Sequence, residues 1–117
     1  MSSFHNQSRE LKLKFSEQKD DIQHKLDSRQ VTLSVEIEKL RNERSYWIAV
    51  LKKSEDIDSL DNCRSKIDEL TMRMGDLEQQ KVDLDRERKT TINTLKREYY
   101  ENLSALEKTF SEEGGLS

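Results

Sequence analysis

Apolar residues recur at alternating steps of three and four between residues 60 and 77, and this spacing constrains the fold more than any other feature of the chain. The alternation gives the 3.5-residue repeat of a left-handed coiled coil. The chain contains no proline, and 38% of its residues are charged against 32% that are hydrophobic. Because so few apolar residues cannot fill an ordinary globular core, the pattern predicts long helices that each bury one narrow stripe.

The predicted stripe, which we call the seam, runs through both halves of the chain. Its core is expected to comprise Leu33, Ile37, Leu40, Trp47, Leu51, Leu60, Ile67, Leu70, Met74, Leu77 and Leu84. Lys81 and Arg88 also fall at seam positions, as does the single cysteine, Cys63, where a small buried thiol fits well. Strict alternation over residues 31–37 would also suit a short strand, but helical spacing on both sides favours a helix there.

Residues 52–56 predict a reversal of the chain. Lys52 and Lys53 suit the last turn of one helix, and Ser54, followed by Glu55 and Asp56, suits the N-cap and acidic first turn of the next. If the heptad spacing of the first half is continued beyond the turn, the expected seam positions also lie two residues away from the seam of the second half. A turn accommodates such a slip, whereas a continuous coiled coil accommodates insertions of three or four.

The sequence therefore predicts an all-α fold, a long-helix coiled coil in the form of an antiparallel helical hairpin that dimerises. We expect a frayed N-terminus at 1–3, helical arms at 4–53 and 54–112, and a flexible tail at 113–117, after a helix stop at the paired glycines 114–115. The alternative is a single continuous helix in a parallel two-stranded coiled coil.

A reversal near residues 53–54 also predicts which residues face each other. The numbers of facing residues should add up to about 107, so that Phe4 meets Leu103 and Phe15 meets Ile92. The two halves then also match in their irregular steps, because each contains an eleven-residue interval in its seam. This match favours the hairpin over the continuous helix.

The stretch around Trp47 is too apolar for a contact between two helices alone. Tyr46, Trp47, Ile48 and Val50 belong to a run of six apolar residues that covers the whole circumference of a helix. They are candidate docking residues, and we expect a second copy of the chain, or another protein, to cover them.

Basic residues gather near the end of the second arm and form a candidate patch for a polyanion such as nucleic acid or a microtubule surface. The patch comprises Arg86, Arg88, Lys89, Lys96 and Arg97. Asp85, Glu87 and Glu98 are interleaved with it, and mixed charges are typical of the solvated flanks of coiled coils. The sequence therefore favours a solvated face over a nucleic-acid site.

Nothing in the sequence predicts an enzyme, a metal site or a cofactor. His5 and His24 have no second histidine or cysteine at metal-ligand spacing, and there is no glycine-rich phosphate loop. No segment resembles a membrane span or a secretory leader, and one cysteine suits a reducing compartment, the cytoplasm or the nucleus. We therefore expect a non-catalytic scaffold or adaptor, for example of the cytoskeleton, whose partners are its own second copy and another protein rather than a membrane or a small-molecule substrate.

Overall fold

A computed structural model describes residues 3–112, and this part of the chain forms two α-helices and no strand. Helix α1 spans Ser3–Lys53 and helix α2 spans Ile57–Glu112. The prediction of an all-α helical hairpin is confirmed, and both alternatives are wrong: the helix is not continuous through 54–56, and residues 31–37 are helical. The predicted stop at 114–115 and tail at 113–117 lie outside the described residues, as do the first two residues of the expected frayed N-terminus.

The reversal occurs where it was expected, but the capping residues differ from the prediction. Ser54 belongs to the end of α1, because its hydroxyl donates to the Val50 carbonyl at 2.8 Å. Asp56 is the N-cap of α2, since its carboxylate accepts the Ser59 backbone N–H at 3.2 Å and its carbonyl accepts the Leu60 N–H at 2.9 Å. An ionised carboxylate is favoured over a hydroxyl at a helix N-terminus because it also meets the positive end of the helix dipole.

The chain divides into two compact units, each containing part of both helices. The loop unit comprises Asp27–Asp85, and the terminal unit comprises the described residues up to Leu26 together with those from Arg86 onward.

The loop unit contains the best-packed part of the seam. Its core cluster consists of Ile37, Leu40, Leu70 and Met74, all less than 9% exposed. The half-buried Trp47 and Leu77 pack against this cluster. Because these side chains come from both helices, the contact buries the apolar stripe of α1 against that of α2 and supplies the main stabilisation of the unit.

The terminal unit is held by aromatic contacts between the helices. The rings of Phe4 and Phe110 meet edge to face with centroids 5.5 Å apart, and those of Phe15 and Tyr99 lie 5.1 Å apart. Later residues of α1 thus meet earlier residues of α2, so the helices of this unit are antiparallel. Aromatic pairs in such arrangements contribute about 0.5–1.5 kcal/mol beyond their buried area.

These contacts correct the predicted register. The numbers of facing residues add up to 114 in both aromatic pairs rather than to 107, so Phe4 faces Phe110 instead of Leu103, and Phe15 faces Tyr99 instead of Ile92. The difference is one heptad, which leaves the same residues on the seam. If the numbers of facing residues added up to 107, residues 53 and 54 would lie opposite each other, and no residue would remain to span the distance between the two helix axes. In the structure, residues 54–56 form this connection.

All eleven predicted seam residues are buried or half-buried in the structure. Two further residues are deeply buried: Cys63, a free thiol that is 2% exposed, and Leu26, which is 5% exposed. The two charged residues at seam positions, Lys81 and Arg88, are half-buried, as expected for long side chains whose aliphatic stems cover an apolar stripe.

Candidate interaction surfaces

The loop unit exposes large apolar side chains on the side of α1 that faces away from α2. Val31 is 63% exposed, Val35 49% and Tyr46 61%. At about 100° per residue, all three lie about 120–180° around the helix from the buried Ile37. We call this set the outer face of α1. Apolar side chains that line up on one side of a helix, away from its partner, form a surface suited to contact with another protein.

The four candidate docking residues do not behave alike. Tyr46 is exposed and its ring lies edge to face against that of Trp47, with centroids 5.3 Å apart. Trp47 is half-buried and packs against the core cluster of the hairpin, so much of its surface is covered from within the chain. Ile48 and Val50 are half-buried. Of the four, Tyr46 is therefore the residue that offers most of its surface to a partner.

A groove of about 500 Å³ runs between the helices on one side of the loop unit. The aliphatic side chains of Leu40 and Leu77 contribute to it, and the remaining lining residues are charged: Glu36, Lys39, Glu43, Arg73 and Asp76. Both signs of charge are present on both helices, as in the solvated flank of a coiled coil.

The terminal unit has a groove on one side as well, and this groove shows which side chains of α1 and α2 share a side. Its lining includes Lys14 and Gln18 from α1 and Glu98 and Asn102 from α2. Around α1, Gln18 lies about 60° from Phe15 and Lys14 about 100°. Around α2, Asn102 and Glu98 lie at the same two angles from Tyr99 and in the same rotational sense. We call this side of the terminal unit the groove side.

The opposite side of the terminal unit, which we call the basic side, carries cations from both helices. On α2, Lys96 and Lys89 lie about 60° and 80° around from Tyr99 in the sense away from the groove. Both are exposed, and so is Tyr100, at 62%. Lys12 and Lys19 of α1 lie about 60° and 40° around from Phe15 toward the same side, and Arg9 lies about 120° around. Arg9 and Lys12 are exposed, whereas Lys19 is half-buried. The cations of the basic side are Arg9, Lys12, Lys19, Lys89 and Lys96.

The structure therefore groups the cations differently from the basic patch that the sequence predicted. Arg97 lies about 160° from Tyr99, at the back of α2, where it is 3.9 Å from Glu101. Arg88 is half-buried at a seam position. The three cations of α1 were missed because they are more than 60 residues away in the chain, and only the signal of helical phase, combined with the hairpin, could have brought them to the patch.

Other kinds of site find no support in the part of the chain that the structure describes. No group of three or more histidine, cysteine, aspartate or glutamate residues is placed to hold a metal ion there. His5 and His24 are both exposed. Neither helix, over residues 3–112, contains a segment long and apolar enough to cross a membrane.

Comparison of the chain with protein-family models, with curated proteins and with solved structures finds no match.

Proposed function

We propose that the protein is a non-catalytic coiled-coil scaffold that associates with a second copy of itself and holds a further protein. The observation that carries the proposal is the outer face of α1, where Val31, Val35 and Tyr46 remain between 49% and 63% exposed. Such a face is stable in water when another surface covers it. Cys63 is buried and free, and we assign the scaffold to a reducing compartment, the cytoplasm or the nucleus.

The exposed area of the chain supports association. The accessible surface is 8773 Å² for a mass of 13.9 kDa, whereas a folded monomer of this mass typically exposes about 6,700 Å². The excess, about 2,000 Å², exceeds the roughly 800 Å² per partner that a stable interface buries. One self-association interface and one further docking surface would use area of this size.

The narrow core supports it as well. Few apolar residues are deeply buried within the described residues 3–112: Leu26, Ile37, Leu40, Cys63, Leu70, Met74 and Leu84. A pair of helices with one thin seam stabilises itself weakly, and assembly with further helices is the usual way in which such folds gain stability.

The proposal is tested by measuring the mass of the protein in solution across a range of concentrations, by light scattering or sedimentation. We expect the wild-type protein to have twice the mass of one chain, and the variant Val35→Lys to dissociate at concentrations at least tenfold higher. A lysine at this position would place a charge in the proposed contact, which weakens association by several kcal/mol if the contact is buried.

Met72→Lys is the matched control, because Met72 is a 72% exposed apolar residue of α2 in the same unit but lies outside the outer face of α1. We expect this variant to associate as the wild-type protein does. A wild-type protein with the mass of one chain at every concentration would overturn self-association. Equal weakening by both substitutions would overturn the assignment of the outer face of α1.

A further inference from the structure

We propose that the basic side of the terminal unit binds single-stranded nucleic acid. It joins Arg9, Lys12 and Lys19 of α1 with Lys89 and Lys96 of α2, and the exposed Tyr100 follows on α2. This inference is independent of self-association, because none of these residues belongs to the outer face of α1 in the loop unit.

The hairpin separates charges that alternate along the sequence. Glu98 lines the groove side of the terminal unit, and Glu87 lies about 120° from Tyr99 in the same sense. Lys89 and Lys96 lie in the opposite sense, so the glutamates that stand between and around them in the sequence lie elsewhere on the helix. Asp85 and Glu107 of α2 lie toward the same side, about 40° and 80° around from Tyr99, but just beyond the two ends of the cation set, and Asp20 lies at its outer margin on α1. The local field over the basic side is therefore positive although the net charge of the chain is −3.

The cations form one staggered track that passes from one helix to the other. Lys12 and Lys19 are seven residues apart on α1, as Lys89 and Lys96 are on α2, so each pair spans about 10 Å along its helix. In the register of Phe15 and Tyr99, Lys19 and Lys96 lie at nearly the same height on opposite helices. From there Lys12 continues the track about 10 Å in one direction on α1, and Lys89 about 10 Å in the other direction on α2, so that one phosphate backbone can cross diagonally between the helices, which pack about 8–10 Å apart. A positively charged track of this kind is how proteins bind single strands without reading their sequence.

Tyr100 favours a single strand over the other polyanions. Its ring is 62% exposed and lies 5.3 Å from the ring of Tyr99, which is half-buried and holds it in place. An exposed ring beside a cationic track can stack on an unpaired base, whereas the bases of a duplex are already stacked on each other. An anionic membrane is not favoured, because surface-bound helices need a broad apolar face and the basic side carries one large exposed apolar residue.

The test is fluorescence anisotropy of the full-length protein with a labelled 20-nucleotide oligothymidylate. If five cations each contact a phosphate, the logarithm of the association constant should fall with a slope of about −3.5 against the logarithm of salt concentration, and affinity should fall about 100-fold between 50 and 200 mM salt. Lys12→Glu combined with Lys96→Glu should weaken binding at least tenfold and reduce the slope by about 1.4. Tyr100→Ala should weaken binding about fivefold or more without changing the slope.

The matched control is Lys14→Glu combined with Lys25→Glu, which changes the net charge by the same amount on the groove side. Lys12, Lys96, Lys14 and Lys25 are all exposed, so neither pair should disturb the seam, and circular dichroism checks this. We expect the control pair to bind within twofold of wild type. Equal losses for the two pairs, no binding of the oligonucleotide at 50 mM salt, or tighter binding to duplex DNA or to vesicles containing phosphatidylserine would overturn the proposal.

Discussion

The register of the helices can be tested by cross-linking, because the two candidate registers predict different disulfides. In the structure the Phe15 and Tyr99 rings are 5.1 Å apart, and the alternative partner, Ile92, lies seven residues before Tyr99 on the same face of α2. Seven residues correspond to about 10 Å along a helix. A disulfide requires Cα atoms about 4.4–6.8 Å apart, so one register allows only one of the two bonds.

We therefore expect the variant Phe15→Cys/Tyr99→Cys, made in a Cys63→Ala background, to form an intramolecular disulfide at least ten times faster than Phe15→Cys/Ile92→Cys. The bond would close a loop of about 85 residues and restrict the unfolded chain. The loop-entropy relation then gives a gain of about 4.5 kcal/mol in unfolding free energy for the oxidised over the reduced form.

The assay is oxidation under dilute conditions followed by non-reducing electrophoresis and peptide mass spectrometry, which separates bonds within a chain from bonds between copies. Urea unfolding of the oxidised and reduced forms of the same variant measures how much the disulfide raises the unfolding free energy. Because both forms lack the two aromatic rings, the effect of losing the rings cancels in the difference. Faster closure of the 15–92 pair would refute the register deduced here. Closure only between copies would refute the pairing of α1 with α2 of the same chain.

Three further predictions concern stability, each measured by urea unfolding at a fixed protein concentration. Leu70→Ala, at a position that is 2% exposed, should lower the unfolding free energy by about 3 kcal/mol, whereas Leu13→Ala, at 56% exposure, should change it by less than about 0.5 kcal/mol; equal effects would contradict the packing. Gly75→Ala should raise it by up to about 1 kcal/mol, because an added Cβ meets no atom within 4 Å and alanine favours the helix, and a loss would indicate an unseen contact. Asp56→Ala should lower it by about 1 kcal/mol through loss of the N-cap, whereas Glu55→Ala should have little effect; the reverse order would contradict the capping described.

The basic side shows what a linear sequence conceals about a site. Lys89 and Lys96 were recognisable as cations, but the neighbouring Asp85, Glu87 and Glu98 made the segment look like a solvated flank. The hairpin places Glu98 on the groove side and adds Lys12 and Lys19 from the other arm. Charge along the chain thus underestimated charge on the surface, because helical phase separates neighbours in sequence and packing joins residues that are distant in it.

The sequence by itself determined the helices and the seam. The absence of proline, the three-and-four spacing and the polar loop at 54–56 act locally, and the residues that face inward follow from the phase of each helix alone. Tertiary structure decided the register, because a shift of seven residues leaves the same side chains on the seam and the spacing cannot distinguish the two alignments. The alignment seen here places Phe110 against Phe4, whereas the predicted one would leave Phe110 beyond the start of α1. The burial of one more aromatic ring and the room needed for the connection between the helices are the physical reasons for the difference.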